Sequence, residues 1–351
     1  MLHGKALSGV EPASQARRPA GPAFAALDLG TNNCRMLIGA PVRDGFRVLD
    51  SFSRIVRLGE GLHHTGRLSA PGMERALGAL HACMTRLARR PVRGMRAVAT
   101  EACRRAANGP EFLARVRAET GLAIDIISTR EEAELALESC APLLVGVARR
   151  ALLFDIGGGS TELAWVRIDP EGPPALIGYA SLPVGVVTLA ERFGPAAFTA
   201  DGFQAMVADV AARLAAFESI HCIAHEIRCG GVQLLGTSGT VTTLAGVALD
   251  LQRYRRPLVD GVVLTRQAAF QALDRLRQIG REGLEQHPCV GPERVDFVLP
   301  GCAVFAAITQ IWPAPQVVVA DRGLREGMLV RMMRADRSRH AAGWRGGIRP
   351  A

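Results

Sequence analysis

The sequence predicts an α/β protein built from two duplicated lobes with a cleft between them. Three observations predict it. Residues 154–162 read FDIGGGSTE and lie between the apolar runs 151–153 and 163–166, a pattern of strand, tight turn, strand. Residues 25–39, AALDLGTNNCRMLIG, repeat the same grammar: an apolar strand ending in Asp28, a polar turn, a second apolar strand. A chain of 351 residues is long enough for two cores, and one such hairpin opens each half of it.

Two anion-holding hairpins facing each other across a cleft describe the actin/hexokinase-like architecture of paired ribonuclease H-like lobes. This is a fold-level analogy, so the site has to carry the functional argument. The lobes are expected over residues 23–146 and 147–333, between a disordered leader (1–22) and a basic tail (334–351). The last helix is expected to pack back on the first lobe.

In lobe one, residues 47–50 and 52–56 extend the hairpin antiparallel, and the glycine-bearing loop 57–62 faces the cleft. Met73, Ala76, Leu77, Leu80, Cys83, Met84 and Leu87 follow the helical period, so an amphipathic helix starts near Ser69 and Pro71. A strand at 95–99 precedes a helical turn at 100–105, and Asn108 caps a helix to about Glu119. Residues 122–127 read as a strand, followed by a helix to about Leu144. Ser128 with Glu131, or Thr129 with Glu132, would make its capping box, which satisfies only one of the two glutamates. Residues 145–150 form a polar, basic joint.

In lobe two, the hairpin is followed by a strand at 175–181, a short helix at 186–193 and a longer one at 202–218. His221, His225 and Cys229 would align at i, i+4 and i+8 as metal ligands if one helix ran through them. Gly230 and Gly231 point instead to a helix ending there. Residues 233–240, QLLGTSGT, form a third strand–turn–helix unit, whose free amides make an anion site at the start of helix 241–249. Thr265 caps a helix to about Arg281, and 292–311 is an apolar helix interrupted near Pro300 and Gly301. Residues 316–320 are a buried strand, 321–327 start the last helix, and the chain past Arg334 reads as loose.

The turns carry the chemistry. Gly157, Gly158 and Gly159 let the backbone come close to a ligand, and their successive N–H groups form a nest for anionic oxygens. Ser160 and Thr161 add hydroxyl donors, and Asp155 and Glu162 stand at the rims as acceptors. Carboxylates beside an anion cradle repel each other unless a cation lies between them, which implies Mg²⁺. The first turn offers Gly30, Thr31, Asn32 and Asn33, with Asp28 as its metal-side carboxylate. Gly236, Ser238 and Gly239 complete the candidate phosphate contacts.

Composition agrees. Net charge is +9, nearly all of it arginine with Lys5 the sole lysine, and arginine grips phosphate bidentately. Aromatics at 5% and the lack of a reading helix argue against nucleic acid as the main partner. No apolar run reaches the ~20 residues of a membrane span. The first residues lack the apolar core of a secretory signal, and scattered cysteines without a C-x-x-C suit reduced thiols in the cytoplasm.

Taken together, these residues resemble the exopolyphosphatase/guanosine pentaphosphatase (Ppx/GppA) phosphatases from about Phe24 to Met332. The motifs are DLGTN at 28–32, VATEACR at 98–104, EEA at 131–133, DIGGGSTE at 155–162, SLPVG at 181–185, GTSGTVTTLA at 236–245 and DRGLREG at 321–327. The resemblance implies a Mg²⁺-dependent hydrolase that releases terminal orthophosphate from polyphosphate or guanosine pentaphosphate. It implies Glu132 as the base that activates water, Asp155 and Glu162 as Mg²⁺-side carboxylates, and Arg104 as a grip on the phosphate chain. Asn33 stands where a serine is common. The chain ends soon after 321–327, without the helical C-terminal domains of the long members, which lengthen the polyphosphate channel and support dimers; a homodimer of the short form stays open. Two other readings stand beside this one: an ATP-dependent small-molecule kinase of the same superfold, and a non-catalytic polyphosphate- or nucleotide-binding regulator.

Overall fold

The computed structural model describes residues 22–43, 45–144 and 148–345, with side chains through 340. The predicted leader up to residue 21, the centre of the joint (145–147) and the end of the tail (346–351) lie outside the described residues.

Lobe one opens with β1 (Phe24–Leu29), β2 (Asn33–Val42) and β3 (Gly45–Ile55), an antiparallel series. It continues through α1 (Leu62–Thr65), α2 (Ala70–Ala88), β4 (Gly94–Ala99), α3 (Glu101–Arg105), α4 (Gly109–Thr120), β5 (Asp125–Ile126) and α5 (Thr129–Cys140). The sheet order is β3-β2-β1-β4-β5, with β4 and β5 parallel to β1. Ser69 caps α2 by accepting from Gly72 N–H, and Ser128 caps α5 by accepting from Glu131 N–H.

Lobe two repeats the plan. β6 (Arg150–Ile156), β7 (Thr161–Arg167) and β8 (Ala175–Leu182) form the antiparallel series. Then come α6 (Val186–Phe193), α7 (Ala200–His221), α8 (Ile223–Cys229), β9 (Val232–Thr237), α9 (Gly239–Ala248), α10 (Arg256–Val259) and β10 (Val263–Thr265). α11 (Arg266–Gln278), α12 (Gly280–Gln286), α13 (Val295–Ile311), β11 (Gln316–Ala320) and α14 (Leu324–Arg345) complete the chain. The order is β10-β11-β9-β6-β7-β8, in which β9 pairs parallel with β6, and β11 with β9. Apart from β10, which pairs antiparallel with β11 at the edge of the second sheet, the two sheets share one five-strand topology, the duplicated two-lobe architecture expected from the hairpins.

Packing crosses the lobes. α5 follows the last strand of the first sheet, yet its Ala133, Ala136, Leu137 and Cys140 cover the second sheet at Ala151, Leu153, Ala164 and Leu235. α14 follows the last strand of the second sheet and lays Leu324, Met328, Leu329 and Met333 on Phe24, Ala26, Leu37 and Val98 of the first. Each buried leucine, methionine, valine or phenylalanine among them contributes about 1.5–3 kcal/mol by leaving water, and the alanines less. The two helices cross where Gly327 lies against the Leu135 carbonyl, a contact that a Cβ would overlap.

Several elements differ from expectation. β5 has only two residues, pairing with Val98 and Ala99 at the sheet edge. Asn108 makes no cap bond; its amide instead pairs with Leu68, accepting from N–H at 2.8 Å and donating to C=O at 3.1 Å. α13 runs unbroken through Pro300, its sixth residue, giving up one intrahelical hydrogen bond among buried neighbours. α14 continues past Arg334, where Asp336 takes Arg93 at 3.0 Å. The metal alignment at His221, His225 and Cys229 fails because Cys222 turns left-handed (φ 50°) and starts a new helix. His221 packs on Phe217, while His225 meets Cys229 alone at 3.6 Å.

Candidate active site

Both hairpins close with the same bond. Gly30 N–H donates to Asn33 C=O and Gly157 N–H to Ser160 C=O, each at 2.9 Å. Asp28 and Asp155 occupy the penultimate position of β1 and β6. The residues opposite them in register are Arg35 and Glu162. The duplication is therefore geometrically faithful and electrostatically broken, since one copy faces its aspartate with a cation and the other with a second acid.

The turns meet at their tips. A Cβ on Gly158 would come within 3.1 Å of Asn32 Cβ, and one on Gly159 would overlap the Glu101 carboxylate. Glycine is required there by proximity rather than by φ. Around the tips lies a cavity of about 170 Å³ lined by Asp28, Gly30, Thr31, Asn32, Asn33, Glu132, Asp155, Gly157, Gly158, Ser160, Glu162, Ser238 and Gly239. It joins a second chamber of about 400 Å³ containing Arg35, Arg294, Arg322 and Arg325. Arg322 is held by Asp260 at 2.9 Å, but Arg35 and Arg294 have no hydrogen-bonded or ion-paired side chain among the described residues.

Four expected residues lie off the cavity. Thr161 is fully buried and donates to Val184 C=O at 2.7 Å. Gly236 sits within β9, where it makes room for the Phe154 ring. Gly159 backs onto Glu101. Arg104 donates to Glu132 Oε2 at 3.1 Å and to Ile127 C=O at 2.9 Å, so it reaches the cleft through Glu132.

The turn hydroxyls are donors already spent. Thr31 Oγ1 donates to Glu101 Oε2 at 3.1 Å, Ser160 Oγ donates to Glu162 Oε1, and Thr161 is engaged as described. A hydroxyl has one proton to give. The expectation of hydroxyl donors for an anion is thus corrected: backbone N–H groups, the asparagine amides and arginines remain for that task.

Burial governs the acids. It raises Asp28, against the opposing charges of Arg35 and Arg325. It pushes Asp155 up to about 6, eased by Arg35. Glu162 rises to about 7 through burial and the neighbouring Asp155, despite hydrogen bonds from Ser160 and Ser181. Glu132 stands well above the ordinary carboxylate range through burial and the charge of Glu162, opposed by Arg104. Asp28 Oδ1 is buried without a hydrogen-bond partner. An orphaned acid oxygen amid crowded carboxylates is a donor set for a hard cation. Among the described residues no three His, Cys, Asp or Glu side chains converge closely enough to hold a metal ion by themselves, so oxygens from water or a bound anion would have to supply most of its ligands.

Residues 38–336 match the sequence model of the Ppx/GppA phosphatase family. The chain belongs to that family. Ppx/GppA relatives of known structure agree with the assignment. An exopolyphosphatase-like protein is 26% identical with a TM-score of 0.80, over 89% of this chain and 98% of that one. A Ppx/GppA member from Aquifex aeolicus is 28% identical with a TM-score of 0.72, over 90% and 98%. An exopolyphosphatase from Cytophaga hutchinsonii, at 23% identity and a TM-score of 0.78 over 89% and 98%, shares the fold. The protein is thus a Ppx/GppA-type phosphatase, and among the described residues no helix is long and apolar enough to cross a membrane.

Four residues of this Ppx/GppA cleft were not singled out from sequence. Arg35 stands as far after Asp28 as Glu162 after Asp155, so superposing the hairpins would have found it. Glu101 and Ser181 lie inside motifs whose other members drew attention, and Ser181 donates to Glu162 at 3.0 Å. Arg294, beside Gly239, has no local sequence signal.

Proposed function

We propose that this phosphatase hydrolyses a terminal phosphoanhydride, releasing orthophosphate from inorganic polyphosphate or from guanosine pentaphosphate. One observation supports the reading: Glu132, buried and anchored by Arg104, shares a cavity with the two glycine-bearing turns and three further acids. Phosphoryl transfer needs positioning and charge neutralisation more than covalent help. Glu132 Oε2 is tied to Arg104, leaving Oε1 as the base. Its raised proton affinity brings it nearer the operating pH, where a base is most effective.

In this reading water attacks the terminal phosphorus and gives one proton to Glu132. The P–O bond to the next phosphate breaks, and its electron pair leaves on the shortened chain. The Gly158 N–H group and the Asn32 and Asn33 amides hold the phosphoryl oxygens, since the Gly157 N–H already closes its own turn on Ser160 C=O, while Arg35 and Arg294 hold the following unit. Asp28, Asp155 and Glu162 are the residues that would hold Mg²⁺, which when bound supplies charge neutralisation. Eight free thiols and no paired ones suit the cytoplasm as the place of action.

The test is orthophosphate release from each of the two substrates, comparing wild type with Glu132→Gln in the presence of Mg²⁺. Losing the base is expected to lower kcat by about 10²-fold or more. No release from either substrate, or release undiminished in Glu132→Gln, overturns the proposal.

A further inference from the structure

Glu101 is only 4% exposed, and no step above uses it. Its Oε2 accepts the Thr31 hydroxyl at 3.1 Å, and its Oε1 takes Arg105 at 2.7 Å. Oε2 also lies against the tip of the second turn, where Gly159 leaves no room for a Cβ. The carboxylate thus touches both hairpins from behind.

With its proton given to Glu101, Thr31 Oγ1 has only lone pairs left to offer. Its partner in the cleft must therefore be a donor, which a phosphoryl oxygen is not. The short helix α3 also carries Arg104, three residues after Glu101 and on the same face, and Arg104 anchors Glu132. One helix face therefore sets both the base and the orientation of the Thr31 hydroxyl.

We propose that Glu101 is a positioning residue for hydrolysis, holding Thr31 Oγ1 as the second acceptor for the water that Glu132 activates. This rests on the phosphoanhydride reading above. The attacking water has two O–H bonds. One proton passes to Glu132 as the oxygen bonds to phosphorus. The other O–H is retained, and an acceptor for it at Thr31 turns the water's lone pair towards the phosphorus. The P–O bond to the next phosphate breaks with its electron pair on the departing chain. Small errors in such alignment cost large factors in rate.

The competing explanation is that Glu101 and Arg105 merely brace α3. Orthophosphate release separates the two for wild type, Glu101→Gln, Thr31→Val, their double variant, Thr31→Ser and Arg105→Ala. A glutamine at 101 must face Arg105 with its oxygen, so its amide N–H meets Thr31 and reverses the hydrogen bond. Glu101→Gln and Thr31→Val are each expected to lower kcat about 10–100-fold with KM changed less than about threefold. The double variant should lose no more than the worse single one, because Glu101 acts on the water only by orienting the Thr31 hydroxyl. Thr31→Ser should recover most of the rate, and Arg105→Ala should lose several-fold less than Glu101→Gln.

Additive losses, a change in KM alone, an equal loss in Arg105→Ala, or wild-type kcat in Glu101→Gln overturn the inference. Thermal unfolding identifies any variant that has lost its fold; the inference is then decided by the other member of the pair. A wild type that releases no orthophosphate from either substrate overturns the phosphoanhydride reading together with this one, whereas an active wild type matched by Glu101→Gln overturns this one alone.

Discussion

Asp28, Asp155 and Glu162 are buried acids compensated in part by Arg35 and Arg104. Asp155 rises from 3.8 to about 6 and Glu162 from 4.5 to about 7, so the native state keeps protons that the unfolded chain has already lost. Below about pH 4 both states are protonated and nothing is gained or lost. Between about pH 4 and 7 the unfolded chain ionises first, so stability falls as pH rises, by a few kcal/mol in total, and levels off above. Metal-free protein is therefore expected to show a Tm several degrees lower at pH 7.5 than at pH 5. Mg²⁺ should reduce that drop, since an ion that binds only the folded state favours it. A Tm that rises over this interval would contradict the assignment of acids that burial destabilises more than Arg35 and Arg104 compensate. The aspartates and glycines of the two turns were legible in sequence because turn chemistry is local, whereas Glu132, on helix α5, was singled out only through the family resemblance. Arg35 was legible only by superposing the two hairpins, since its meaning lies in a register partner, and Glu101 was not legible, because its meaning lies in a hydroxyl belonging to a distant turn.

Elements were legible wherever period and caps agreed. α2, with Ser69 as cap and an apolar stripe, and α6 and β11, bounded by turn residues, needed only nearest neighbours to read. The departures have tertiary causes. Pro300 is absorbed because Gly301 lets α13 press against the Thr240 side chain, and α14 persists because Arg93 and Asp336 pin it to lobe one. α5 and α14 cross with backbone almost touching at Gly327 and Leu135, and are tied further by Arg331 to Glu138 at 2.7 Å. Gly327→Ala should force the crossing apart and destabilise the protein by about 1–3 kcal/mol, read as a lower denaturant midpoint at unchanged slope. An unchanged midpoint would mean that the crossing can widen freely.

Across the whole molecule the cleft is fastened at its mouth. Gly61 N–H in lobe one donates to Glu191 Oε1 in lobe two at 2.8 Å, and the Arg57 guanidinium lies 5.7 Å from the centre of the Phe297 ring. Glu191 Oε2 is buried and unpartnered, so the carboxylate serves this one contact between lobes. Glu191→Ala is expected to open the lobes, raising KM several-fold with a smaller effect on kcat, and to enlarge the radius of gyration in small-angle scattering. Equal scattering and equal KM would remove the latch from the account. The duplication that defines the architecture was visible from two short stretches, whereas the latch joins a loop and a helix far apart in sequence and shows only in three dimensions.

The exchange of α5 and α14 means that the order of synthesis and the order of assembly disagree. A nick at the connector would free neither half, because each would depart with a bare sheet and leave its cover behind. Denaturation should accordingly proceed as a single event, and any shear between the halves must be borne by that pair of swapped helices.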